Sequence, residues 1–186
     1  MTRPTHSCTV CGQIVPERWP MERIVGGQRQ PAVEWIGEHC SCRGEFEPLT
    51  MVRAERLAQR ALSVRQPYAW LLANCYKDCE NRSRLFGYVG RLFIHASKEP
   101  EADYDRLAQT ITDAFEIVVP PADEIDLGCL VGVMFVNQMV SQPGMLSWWA
   151  GPNAWPVRWA VPIKPVPMRG SLGLWRVPGE TPITLV

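Results

Sequence analysis

Two groups of residues in this chain combine types and spacings that support chemistry. The first is "NCYKDCENRSR", residues 74–84, which places Lys77, Glu80 and Arg82 within six positions, between the apolar runs "ALSVRQPYAWLLA" and "GYVGRLFIHAS". Charge held between two core-forming segments is either a solvated edge or the floor of a cleft. On an extended strand residues 78, 80, 82 and 84 share one face, so Glu80 and Arg82 can pair. Lys77 reaches that face only if the strand begins after it or bulges nearby. Arginine offers a planar fork for phosphate or a guanine edge, and glutamate accepts from exocyclic amines such as that of cytosine. The plain alternative is an ion pair at a barrel rim.

The second group is thiol. "CTVCGQ" gives Cys8 and Cys11 as C-x-x-C-G, and "HCSC" adds Cys40 and Cys42 about thirty residues on. In the first pair the two-residue gap lets both thiolates point at one ion, and Gly12, just after Cys11, permits the tight turn that aims backbone amides at the sulfurs. Two such pairs make a closed, tetrahedral, structural Zn2+ site with no open position for catalysis. His39 is the substitute ligand and His6 a weaker one, so replacement of one cysteine by His39 stays open, as do free thiols in a loose leader. Residues 1–50 hold little apolar sequence, and units that small lean on a metal or disulfides. "ERWPMERIV" and "PAVEWIG" read as short strands about "GGQRQP". Cys75, Cys79 and Cys129 fall outside the pattern and read as small buried residues.

The elements that must carry the charged strip come next. "ALSV" is a short strand, and "RQPYAWLLANCY" a helix with Pro67 in its first turn and Tyr68, Leu71, Leu72 and Cys75 at helical spacing. "DCENRSR" and "GRLFIHAS" are strands. "EPEADYDRLAQTITDAF" is an amphipathic surface helix with acids at its positive end. "GCLVGVMFVNQMVS" is β-branched and reads as the central strand. Prolines from 143 onward predict short strands broken by turns, and "GSLGLWRV" supplies a last strand closing a small barrel. The expected class is α+β, a small β-barrel with flanking helices, preceded by a small β-rich zinc segment: 1–50 a knuckle or ribbon, 51–60 a linker, 61–186 the main domain.

Nineteen basic and nineteen acidic side chains cancel, which removes a global field for nonspecific nucleic-acid binding. Residues 51–98 nevertheless hold nine basic and three acidic side chains, and residues 99–126 one basic and nine acidic, so one face is locally basic. With 46% hydrophobic and 20% charged residues the chain reads as globular. It has neither the roughly 18 to 20 apolar residues of a membrane span nor the h-region of a secretion signal at its start. The expectation is a cytoplasmic protein with reduced thiols and no membrane partner.

"ALSVRQPYAWLLA", Lys77, Glu80 and Arg82, "GYVGRLFIHASK", "GCLVGVMFV", "GPNAWPV" and "GSLGLW", in this order over residues 60–177, resemble an ASCH (activating signal cointegrator homology) domain. The family signature is G-x-K-x-x-E-x-R, and Cys75 stands where its glycine is expected. The resemblance implies a fold like the PUA (pseudouridine synthase and archaeosine transglycosylase) domains, with the signature strand facing a cleft between barrel and helices. It also implies a nucleic-acid or nucleotide-related role. The binding candidates are then Gln66, Tyr68, Lys77, Glu80, Arg82 and Trp155, the last because Trp155, like Tyr68, lies in a matched motif. The expected partner is RNA, single-stranded DNA or a nucleotide or nucleoside, with a protein partner on the zinc segment as a further option. The alternative is a hydrolase, an acetylcytidine amidohydrolase or a ribonuclease, with Lys77 and Glu80 as catalytic candidates. Against it, the amidohydrolase relatives carry threonine where this chain has Glu80, and no nucleophile here has a base beside it in sequence.

Overall fold

The computed structural model describes residues 51–186 apart from Cys75 and Pro143, with side chains from Arg53 onward except Arg56; before residue 51 it describes only the backbone of short strands. Those strands are β1 (Pro4–Cys8), β2 (Ile14–Pro16), β3 (Pro20–Val25), β4 (Gln28–Val33) and β5 (Phe46–Pro48), with β1 between β2 and β5 and β3 antiparallel to β4. The main region follows as β6 (Met51–Arg53), α1 (Ala54–Leu57), β7 (Arg60–Val64), α2 (Tyr68–Ala73) and β8 (Cys79–Arg82). It continues with β9 (Gly90–Ala96), α3 (Tyr104–Phe115), β10 (Cys129–Val136), β11 (Asn153–Pro167), β12 (Leu174–Arg176) and β13 (Pro182–Thr184).

Six strands form one mixed sheet in the order β12-β7-β9-β10-β11-β8, curled into a half-barrel. Within it β7 and β9 are parallel. Parallel neighbours need a crossover, and here it runs through α2 and out to β8 at the far edge before returning to β9. That path makes the charged strip an edge strand. The α+β class with a barrel-like sheet is therefore as the sequence predicts, with the barrel left open: β12 lies against β7, and β8 and β12 are the two edges.

Alternation along the strands sends residues to two faces. Leu62, Val64, Leu92, Ile94, Met134 and Trp155 pack with Ala69, Leu72 and Ala73 of α2 on one face. Ala61, Phe93, Leu130, Val133, Val161 and Ile163 pack on the other with α1 and the C-terminal Ile183 and Leu185. Each fully buried large side chain contributes roughly 1.5 to 3 kcal/mol. Close approach of α2 depends on Gly132, where an added Cβ would lie 2.9 Å from Ala73 Cβ and 2.9 Å from the Val161 carbonyl oxygen. Helix α3 packs outside, burying Tyr104 and Ile111 against Leu71, Val119 and Ile125.

Two expectations change. Residues 51–60, read above as a linker, pack onto the sheet: β6 pairs with β13, and Ala54, Leu57 and Ala58 are buried. Their apolar spacing of three to four residues makes α1 a one-turn plug for that face. After residue 143, in place of short broken strands, β11 runs for 15 residues through Pro156, Pro162, Pro165 and Pro167. Its partners change along its length, 153–156 pairing with β8 and 157–167 with β10. A strand paired mainly on one side at a time leaves room for prolines, whose missing N–H faces the open side.

Candidate functional site

The side chains of Lys77, Glu80 and Arg82 form one connected ionic chain. Strand β8 begins at Cys79, after Lys77, so Lys77 is free of the strand's alternation and turns back toward Glu80. Its Nζ donates to the Cys79 carbonyl oxygen and lies 3.2 Å from Glu80 Oε2. On the other side Glu80 Oε1 is 3.0 Å from an Arg82 Nη2 that also donates to the Ser63 carbonyl oxygen of β7 at 3.0 Å. Beyond Leu62, where the pairing with β12 ends, the Arg82 side chain thus ties one edge strand across to β7.

Burial decides how this chain behaves. Lys77 is 4% and Glu80 6% exposed, so both charges are taken out of water and each is worth keeping only because the other is there. Arg82 is the partly exposed member, yet its Nε is buried and has no hydrogen-bond partner among the described residues. An orphaned buried donor is costly. The carboxylate of Glu80 has lone pairs to spare, so a donor and an acceptor lie side by side on β8.

Tyr68, at the start of α2, borders the same group: Lys77 Nζ is 5.5 Å from its ring centroid. Burial raises the Tyr68 hydroxyl pKa, and the negative charges of Glu101 and Glu80 raise it further, which keeps it a neutral donor across ordinary pH. Its outer side lines a hollow of about 410 Å³ with Glu101, Ala102, Asp103, Arg106, Leu107 and Thr110. At the rim Arg65 pairs with Glu101 at 3.3 Å. The hollow was not legible in the sequence, where the acids before α3 account for themselves as helix-dipole partners.

Gln66 and Trp155 stand apart from the exposed part of this site. Gln66 is 1% exposed; its Nε2 donates to the Asp126 carbonyl and its Oε1 accepts from the Trp70 amide. It fixes the entry to α2. Trp155 is 0% exposed, stacks on Phe86 at 5.2 Å and donates Nε1–H to the Tyr88 carbonyl. Opposite Glu80 in the β8–β11 ladder, it supports the strip from within, and its ring has no face open to a ligand. Trp148 stacks on Phe115 at 4.1 Å, and the loop that carries it is pinned to β8, Asp78 accepting from the Ser147 and Trp148 amides and Asn81 from the Ala150 amide.

No protein-family model and no curated protein sequence matches this chain. Its chemistry rests on the geometry alone.

The side chains of Cys8, Cys11, Cys40 and Cys42, with those of His6 and His39, lie outside the described residues, as does Cys75. Cys79 and Cys129 are buried free thiols. Desolvation pushes their pKa values up to about 12 and about 11 respectively, which suppresses the reactive thiolate. Alkylation of native protein at pH 8, mapped by peptide mass spectrometry, is expected to leave both unmodified, while denaturant makes both react. Rapid native labelling of either would refute their burial.

Proposed function

We propose that this protein is a noncatalytic binding module for single-stranded nucleic acid, RNA or DNA, or for one of its nucleosides, taking a base at the edge formed by Tyr68, Glu80 and Arg82. The observation that carries the reading is the buried Arg82 Nε without a partner beside a carboxylate with unused lone pairs. A base edge offering an acceptor next to an amine would engage the partly exposed Arg82 guanidinium and the Glu80 carboxylate, the Arg82 side chain turning to present Nε, and the Tyr68 ring borders the same group. The curled sheet and its edge-strand signature are consistent with an ASCH domain of PUA-like fold, which is part of the same proposal.

The hydrolase reading gains nothing here. The Lys77 Nζ is ion-paired with Glu80 and donates to the Cys79 carbonyl, and an ammonium held in that way has no lone pair with which to take a proton from a substrate. Release of acetate or cytidine from acetylcytidine over hours is expected to be absent; release that Lys77→Ala and Glu80→Ala both abolish would reverse the assignment. For binding, Arg82→Gln and Tyr68→Ala are expected to weaken affinity about tenfold or more, and Arg106→Ala to change it little. Base–aromatic stacking alone is worth roughly 1 to 3 kcal/mol. Equal losses in all three variants would mean diffuse electrostatics.

The proposal includes one structural Zn2+ on Cys8, Cys11, Cys40 and Cys42, on the strength of their spacing. Elemental analysis of protein purified without added metal should find about one equivalent per chain. Retention of zinc by a Cys8→Ser, Cys40→Ser double variant would sink this assignment. Among the described residues no helix is long and apolar enough to cross a membrane.

A further inference from the structure

The short edge strand β12 carries an unusual pairing. Arg176 lies directly opposite Arg60 of β7 in the antiparallel ladder, and both are exposed. Like charges directly across a ladder repel, and neither guanidinium forms an ion pair with a carboxylate among the described residues. The Glu55 carboxylate faces Gly179. Arg60 instead lies over the ring of Tyr88, 5.8 Å from its centroid, which holds the guanidinium in place without neutralising it. Three residues along β7 from Arg60 is Ser63, whose carbonyl receives Arg82. That separation is about 10 Å of strand, a span that one sugar-phosphate unit and two long arginine side chains can bridge.

We infer that Arg60 and Arg176 form a phosphate clamp on the β12 edge, which holds the backbone of a single-stranded nucleic acid while the adjoining base occupies the position beside Arg82. Two guanidiniums converging on one dianionic or diester phosphate turn a repulsive pair into a bidentate site. The clamp explains why a chain without net charge still has a basic strip: affinity for the polymer comes from this edge, and base reading from β8. The inference rests on the base-binding reading above.

The test uses the full chain. Binding of ten-nucleotide mixed-sequence ribo- and deoxyribo-oligonucleotides is followed by fluorescence anisotropy over a salt series, beside calorimetry with the free nucleosides. For Arg60→Gln, Arg176→Gln protein the expected result is about tenfold or greater loss of oligonucleotide affinity and a log–log salt slope shallower by about 0.7, one phosphate contact on a single strand. Nucleoside binding is expected to be unchanged, whereas Arg82→Gln loses it. Removing like charges should leave the melting temperature at or above that of the wild type, so a lost clamp is separable from a lost fold. Wild-type binding that survives the double substitution with full affinity and slope overturns the clamp alone. Failure of the wild type to bind any oligonucleotide or nucleoside overturns the base-binding reading, and the clamp with it.

Discussion

Replacing Glu80 by alanine is expected to lower the free energy of unfolding by about 3 to 5 kcal/mol, the usual consequence of leaving a buried charge without its partner. The asymmetry of the ionic chain sets the size of the effect. Arg82 has 26% of its side chain exposed and can turn to water, but Lys77 has 3%, so its ammonium keeps only the Cys79 carbonyl and the face of the Tyr68 ring. In a chain of this length a change of that size moves the melting temperature on the order of 10 °C. The paired replacement Lys77→Met, Glu80→Leu should be far milder, because it removes both charges and keeps apolar volume. Denaturant unfolding of the two variants and the wild type checks this. A Glu80→Ala loss under about 1 kcal/mol, or a double variant as weak as the single, would mean that the pair is solvated.

Gly170→Ala is expected to be the second severe substitution, at about 3 kcal/mol or more. A Cβ at 170 would collide with His95 Cε1 and sit 2.6 Å from His95 Nδ1 and 2.7 Å from Ser63 Oγ. Neither neighbour can yield cheaply. His95 is 2% exposed, its Nε2 bonded to the Met168 carbonyl at 2.9 Å and its ring edge-on to Trp175. Ser63 donates to the Ser171 carbonyl and accepts from Trp175 Nε1. The new methyl must push segment 168–171 off β7 and β9, adding the loss of two hydrogen bonds, about 1 kcal/mol each, to roughly 1 to 3 kcal/mol of overpacking. Adding His95→Ala should recover part of the loss by vacating the ring's volume. A Gly170→Ala protein that melts with the wild type would show that segment 168–171 does not pack this closely.

Strand β10 was readable from its β-branched apolar run, β7 and β9 from short apolar runs too brief for a helix, and the period of two predicted the contact of Glu80 with Arg82. Lys77 was readable only as a condition, that the strand start after it; where a strand begins depends on its partner, here the four-residue match with β11. Trp155 shows the limit from the other side. Its motif gives its place in the chain, but which face of β11 is covered follows from the Phe86 and Tyr88 segment packing over it, and no local pattern carries that. The length of β11 was hidden by its prolines, whose tolerance depends on which side of the strand has a neighbour. The role of 51–60 was hidden by distance, since β6 finds its partner about 130 positions away in β13.

That last pairing determines how the molecule meets mechanical load. In the β6–β13 ladder Met51 is matched with Thr184 and Arg53 with Pro182, so the polypeptide enters and leaves at the same end of a two-strand zipper. Tension applied through residues flanking this region falls first on the Met51–Thr184 rung and on the single Leu185–Ile163 bridge to β11 beside it, then on the next rung of the ladder. Once the zipper parts, the pull passes to α1, whose Ala54 and Leu57 cover the apolar face beneath. A threading protease or translocase that grips either flank would therefore begin by peeling this corner, while strand β8, which carries Glu80 and Arg82, meets the pull only through its pairing with β11.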